Sequence, residues 1–106
     1  MDRKKDQIIV ELRKFKKTVQ VNLGVSKLIL FGSQATGTAK AESDVDLVMV
    51  SPRFSNMPFW KRFATARKFF ELRMPVDILC FTPEEFEKKK NQITIVREAV
   101  DTGIEI

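Results

Sequence analysis

The sequence contains no histidine and no tyrosine. The missing histidine excludes Ser-His-Asp triads, histidine-ligated zinc and histidine general bases. A single cysteine, Cys80, cannot form an internal disulfide. It lies in "VDILCF" and reads as a small buried apolar residue. No apolar run approaches the roughly 20 residues that cross a bilayer. The opening "MDRKKDQIIVELRKFKK" is charged throughout, so no signal peptide is expected and the expected location is cytoplasmic. Any chemistry must rest on carboxylates, lysine, arginine, serine, threonine or a metal held by oxygen.

What is present suits one compact domain over residues 1–106. Hydrophobic residues make up 43% and charged residues 31%, enough for a core and a soluble surface. The net charge of +5 suits an anionic partner such as nucleotide phosphate, nucleic acid or an acidic protein.

The apolar pattern sets the expected elements. Ile8, Ile9, Leu12, Phe15 and Val19 follow helical spacing over about 5–20, with Asn22 and Gly24 as stops. "KLILF" (27–31) and "VDLVMV" (45–50) read as strands, the second as an interior strand covered on both faces. A short helix is expected near Ser33. A helix over about 57–73 would bury Phe59, Phe63, Ala66 and Phe70, with Trp60 and Phe69 read as core packing, before Pro75 closes it. "VDILCF" (76–81) gives a third strand. Thr82 reads as an N-cap, with Pro83 at the first helical position. A last helix over about 92–101 precedes Gly103 and a candidate edge strand, "IEI". The order suggests a small sheet with helices packed on it.

Against that frame, three acids stand out. Residues two apart in a strand share a face, so Asp44 and Asp46 project together at the head of an apolar run. Side by side and partly buried, two like charges are costly unless a cation neutralises them. With no histidine available, oxygen ligands point to magnesium. Asp77 interrupts the third strand and could complete a three-carboxylate cluster. Such a cluster can hold two metal ions for in-line phosphoryl or nucleotidyl transfer. Each acid alone also fits an ordinary strand-end position.

Gly32 and Ser33 follow the first strand directly. Glycine lets a phosphate approach the backbone, and the Ser33 hydroxyl adds a donor. A helix starting there would add its free N–H groups. "GSQATG" begins like a P-loop, but Thr38 and Ala39 follow where lysine is required. No G-x-G-x-x-G is present, which argues against a Rossmann dinucleotide site.

Gly-Ser, ten residues, Asp-x-Asp and a separate strand aspartate together resemble the nucleotidyltransferase superfamily typified by DNA polymerase beta. In particular, "LFGSQATGTAKAESDVDLVMV" is similar to the minimal nucleotidyltransferases. The resemblance implies an α+β fold, a mixed sheet flanked by helices. It implies Gly32 and Ser33 against the triphosphate of ATP, and Asp44, Asp46 and Asp77 as ligands of magnesium, two ions in all. Asp77 would also orient or deprotonate the attacking hydroxyl. Many minimal members read Gly-Ser-x-Ala-Arg-Gly; here Thr36 holds the arginine position, with Lys40 close in sequence.

Such members often pair with a helical toxin of the HEPN ribonuclease class. The resemblance therefore implies an antitoxin that transfers AMP to a hydroxyl of the toxin or blocks it by binding. The short chain suggests that a separate protein, or a second copy, supplies the acceptor surface. Two alternatives stand beside this reading: a non-catalytic module that binds nucleotide or partner, and nucleotide addition to RNA or DNA ends. The aromatics of 59–70 could also reach a partner interface, with Arg53, Lys61, Arg62, Arg67 and Lys68 as a basic surface.

Overall fold

The computed structural model describes residues 3–37, 44–92 and 94–106, apart from the side chains of residues 3 and 4. The elements run α1 (Arg3–Leu23), β1 (Lys27–Phe31), α2 (Ser33–Thr36), β2 (Val45–Val50), α3 (Phe59–Arg67), β3 (Val76–Phe81), α4 (Pro83–Lys90), α5 (Ile95–Thr102) and β4 (Ile104–Glu105), with a 3-10 turn at Pro52–Asn56. The strands form one sheet in the order β3-β2-β1-β4. β1 is antiparallel to both β2 and β4, while β2 and β3 run parallel. The fold is α+β, a four-stranded mixed sheet flanked by helices.

Strand alternation divides the core into two layers. Leu28, Leu30, Val45, Leu47, Met49, Ile78 and Cys80 face α1 through Ile8, Leu12, Phe15, Val19 and Leu23. Ile29, Phe31, Val48, Val50 and Phe81 face α4 and α5 through Phe86, Val96 and Ala99. β2 therefore has apolar neighbours above and below, as its sequence suggested. Asp46 has the parity of Val48 and Val50, and Asp77 that of Leu79 and Phe81. Both acids thus lie on the face covered by α4 and α5.

The helix ends follow local chemistry. α1 runs through Asn22 and stops at Gly24, whose φ of 62° takes the left-handed conformation. There the Gly24 N–H donates to Gln20 O and the Val25 N–H to Val19 O, closing the last turn. α4 begins with a capping box. Thr82 Oγ1 accepts from the Glu85 N–H at 3.2 Å, and Glu85 Oε1 accepts from the Thr82 N–H at 2.8 Å. Lys88, Lys89 and Lys90 occupy its last turn, where they complement the dipole. α5 starts at Ile95, later than expected, because Thr94 caps it by accepting from the Arg97 N–H.

The largest correction concerns the expected helix over 57–73. A separate 3-10 turn over Pro52–Asn56, capped by Ser51, precedes it, and the α-helix spans only Phe59–Arg67. Its C-terminal end tightens as the Phe69 and Phe70 N–H groups donate to Ala66 O and Arg67 O. The buried face also differs. Ala66 and Phe70 are buried as expected, but Phe59, Phe63 and Trp60 are 60%, 39% and 78% exposed. Arg62 takes the inward seat. Its guanidinium donates to Glu85 Oε1 at 2.6 Å, to Cys80 O at 3.3 Å and to Met57 O at 3.2 Å. It also lies beside the Phe54 and Phe59 rings. A satisfied buried guanidinium thus displaces the aromatics that periodicity places in the core.

Candidate active site

The site forms where β1 ends and β2 and β3 begin. Gly32 leaves β1 with φ 72° and ψ −157°. A Cβ built there would lie 2.5 Å from Asp46 Oδ2, closer than real contacts allow. The positive φ selects glycine, and any side chain there would also have to displace the Asp46 carboxylate. Ser33, half-buried, opens the one-turn α2, and Gly37 closes it with φ 80° in the left-handed region. Gln34 and Ala35 are buried and anchor this turn. With only four residues, α2 offers far less helix dipole than a full-length helix. What this loop can offer an anion is close backbone approach and the Ser33 hydroxyl. Lys40 lies outside the described residues.

Asp46 sits between two neighbours on the sheet. It pairs with Phe31 across the antiparallel ladder and with Asp77 across the parallel one. Opposed residues project to the same face, so the Asp46 and Asp77 side chains are neighbours. Asp46 is half-buried, whereas Asp44 and Asp77 are exposed. Burial raises the Asp46 carboxyl above its ordinary value, and the charges of Asp77, Asp44 and Glu98 raise it further.

Among the described residues, no lysine or arginine forms an ion pair with Asp44, Asp46 or Asp77. Nor, among those residues, are three acidic or thiol side chains gathered closely enough to hold a metal ion as they stand. The structure brings Asp46 and Asp77 into register, with Asp44 in electrostatic range, but does not draw them into a finished cage. As a donor set they match a hard dication, since magnesium keeps several waters and takes substrate phosphate oxygens besides one or two carboxylates.

Glu98 is the acid that the sequence did not single out. It belongs to α5 and reaches the field of Asp46 because α5 packs over β1. No spacing rule links Glu98 to Asp46; only the tertiary packing does. Cys80 is a bystander, buried as expected, with its thiol pushed up to about 12 chiefly by burial. Among the described residues, no helix is long and apolar enough to cross a membrane.

The fold is shared with a crystal structure from Sulfolobus solfataricus, a protein provisionally described as a nucleotidyltransferase. The superposition has a TM-score of 0.67 and covers 95% of this chain and 80% of that one, at 18% sequence identity. No curated protein matches the chain significantly. The nucleotidyltransferase domain model matches residues 12–102 and so takes in Gly32, Ser33, Asp44, Asp46 and Asp77. The chain belongs to the nucleotidyltransferase domain family.

Proposed function

We propose that this nucleotidyltransferase moves AMP from ATP onto a hydroxyl of a partner protein, with magnesium, as the antitoxin of a HEPN-type pair. One observation carries the catalytic part: Asp46 and Asp77 stand in register beside Gly32. No side-chain cation among the described residues pairs with them. Such a cluster favours a cation, and Asp44, Asp46 and Asp77 would hold magnesium. When bound, magnesium offsets the negative charge of the triphosphate and of the departing pyrophosphate.

The protein's own groups divide the remaining work. Gly32 presents bare backbone, so that the triphosphate lies close to the chain, and the Ser33 hydroxyl donates to a phosphate oxygen. Asp77 is exposed on the outer strand, where an acceptor hydroxyl arrives from solvent. It takes the hydroxyl proton as the acceptor oxygen bonds to the α-phosphorus. The α-phosphorus–oxygen bond to pyrophosphate breaks, and pyrophosphate leaves. Asp46, less accessible and held against Gly32, orients rather than accepts the proton. The protein acceptor and the toxin partner are supported by the resemblance to minimal nucleotidyltransferases in "GSQATG" and "DVD".

Incubation with labelled ATP, magnesium and the HEPN-type partner tests this reading. The expected product is a labelled partner. Equal labelling by the Asp44→Asn, Asp46→Asn double variant defeats it, as does no labelling by the native chain.

A second reading is a non-catalytic module that neutralises its partner by binding. It is favoured by the open spacing of the acids and by Thr36 at the usual arginine position. Under it, the same double variant still neutralises the partner. A third, nucleotide addition to RNA or DNA ends, draws on the net charge of +5 and requires binding that weakens steeply with salt.

A further inference from the structure

The outer face of α3 carries a surface that the proposed chemistry does not use. Phe59, Trp60 and Phe63 are all exposed, while Arg62 and Ala66 occupy the inward side. Exposed Ala64, with its small side chain, lies one turn beyond Trp60. Exposed Arg67 and Lys68 end this stripe, and exposed Lys61 flanks it. Leaving such side chains in water forgoes roughly 1.5–3 kcal/mol for a fully buried phenylalanine. A contiguous patch of this kind, rimmed by charge, marks a contact surface.

Charge decides what fits it. Residues 51–70 hold five cations, Arg53, Lys61, Arg62, Arg67 and Lys68, and no acid. The rest of the chain balances 14 cations against 14 acids, so this segment carries the whole net charge of +5. Glu85 compensates only Arg62. A second copy docked face to face would set these cations against themselves. An anionic partner is complementary.

The arrangement of the rings suits a protein partner. The Phe59 ring already lies against Phe81, at 6.3 Å between centroids, with the Arg62 guanidinium 5.5 Å from it. These neighbours engage part of the Phe59 ring and fix it in the stripe, while the residue stays 60% exposed. The stripe of Phe59, Phe63 and Trp60 suits the apolar side of a helix. We propose that α3 docks an acidic protein segment that presents an apolar helix face, with Trp60 as the anchor.

This surface is separate from the carboxylates. Phe59 packs at Phe81, four residues along β3 from Asp77, or about 13 Å at strand rise. The inference therefore does not depend on which group receives the nucleotide.

Trp60 is the sole tryptophan and there is no tyrosine, so intrinsic emission reports this surface alone. The native chain is titrated with three probes: a helical peptide of leucine on one face and glutamate elsewhere, its lysine counterpart, and a 12-nucleotide oligouridine. The acidic peptide should shift emission to shorter wavelength and saturate; the lysine peptide should not. Lys61→Glu combined with Lys68→Glu should weaken the acidic peptide about tenfold or more, as reversal of two charges implies, with far-UV circular dichroism unchanged. No shift with the acidic peptide overturns the proposal. A shift at lower concentration with oligouridine assigns the face to nucleic acid and also overturns it. A shift that tracks the chain's own concentration assigns it to a second copy, with the same consequence.

Discussion

The carboxylate of Asp46 lies against the Cα of Gly32, where a methyl group would meet Oδ2 at 2.5 Å. The contact joins the loop after β1 to the acid of β2. Gly32→Ala must therefore push the Asp46 side chain aside and also force alanine to a φ of 72°. The expected cost is about 1–3 kcal/mol of stability, together with loss of nucleotidyl transfer. Gly37→Ala is the control. Its φ is also positive, but among the described residues nothing lies within 4 Å of an added Cβ. Denaturant melts of both variants, with labelling assays, check the contrast; equal activity in the two refutes the role given to the Gly32 contact.

Asp46 is itself held at a cost. It is half-buried and repelled by Asp77, Asp44 and Glu98. Asp46→Asn should raise the melting temperature at neutral pH while it lowers transfer, a stability gain where function required a loss. Magnesium should raise the melting temperature of the native chain by binding only the folded state, and should do so much less in Asp46→Asn. A native chain whose melting ignores magnesium contradicts the assignment of these acids as ligands.

Acid stability rests on a different carboxylate. The hydrogen bond from Arg62 holds Glu85 below its ordinary value of 4.5 despite partial burial, and bonding to Thr82 helps. A group depressed in the folded state adds stability above its unfolded value and loses it as pH falls through the folded one. The native chain should therefore lose stability on going below about pH 4.5. Glu85→Gln should be less stable at pH 7 and should show a shallower acid decline. Urea midpoints between pH 3 and 7 provide the measurement. An unchanged acid decline in Glu85→Gln excludes Glu85 as its source.

The aromatics separate what sequence discloses from what only packing decides. Phe54 is fully buried in the 3-10 turn, so Phe54→Ala should cost about 3–5 kcal/mol. Trp60→Ser and Phe63→Ser should each shift stability by roughly 0.5 kcal/mol or less, as exposed positions do. Helical periodicity alone assigns these roles differently, since Phe59, Phe63, Ala66 and Phe70 share a spacing. The strands were legible because alternation and β-branched runs are local properties. The shared parity of Asp44 and Asp46 is local too, whereas Asp77 faces Asp46 only through the β2–β3 register, a property of the assembled sheet. The inward face of α3 was not legible, because it depends on Arg62 meeting Glu85, a contact across 23 residues. Glu98 was hidden for the same reason, since only the packing of α5 on β1 brings it near Asp46. Unfolding of the three variants by urea measures these assignments directly.

Thr36 decides between the enzyme and the binding module. It ends α2, exposed, with its hydroxyl 3.4 Å from both Gly32 O and Ser33 O. Arginine at this exposed position would bring a charged fork beside the loop assigned to the triphosphate. Thr36→Arg should therefore leave the melting temperature nearly unchanged and tighten ATP binding several-fold, the effect of about 1 kcal/mol. If the native chain is an enzyme with a weakened phosphate contact, transfer at limiting ATP rises with affinity. If it is a binding module, ATP affinity rises but no labelled partner forms, and neutralisation of the partner stays the same. Unchanged ATP affinity in Thr36→Arg removes the Gly32–Ser33 loop from the triphosphate site under either reading.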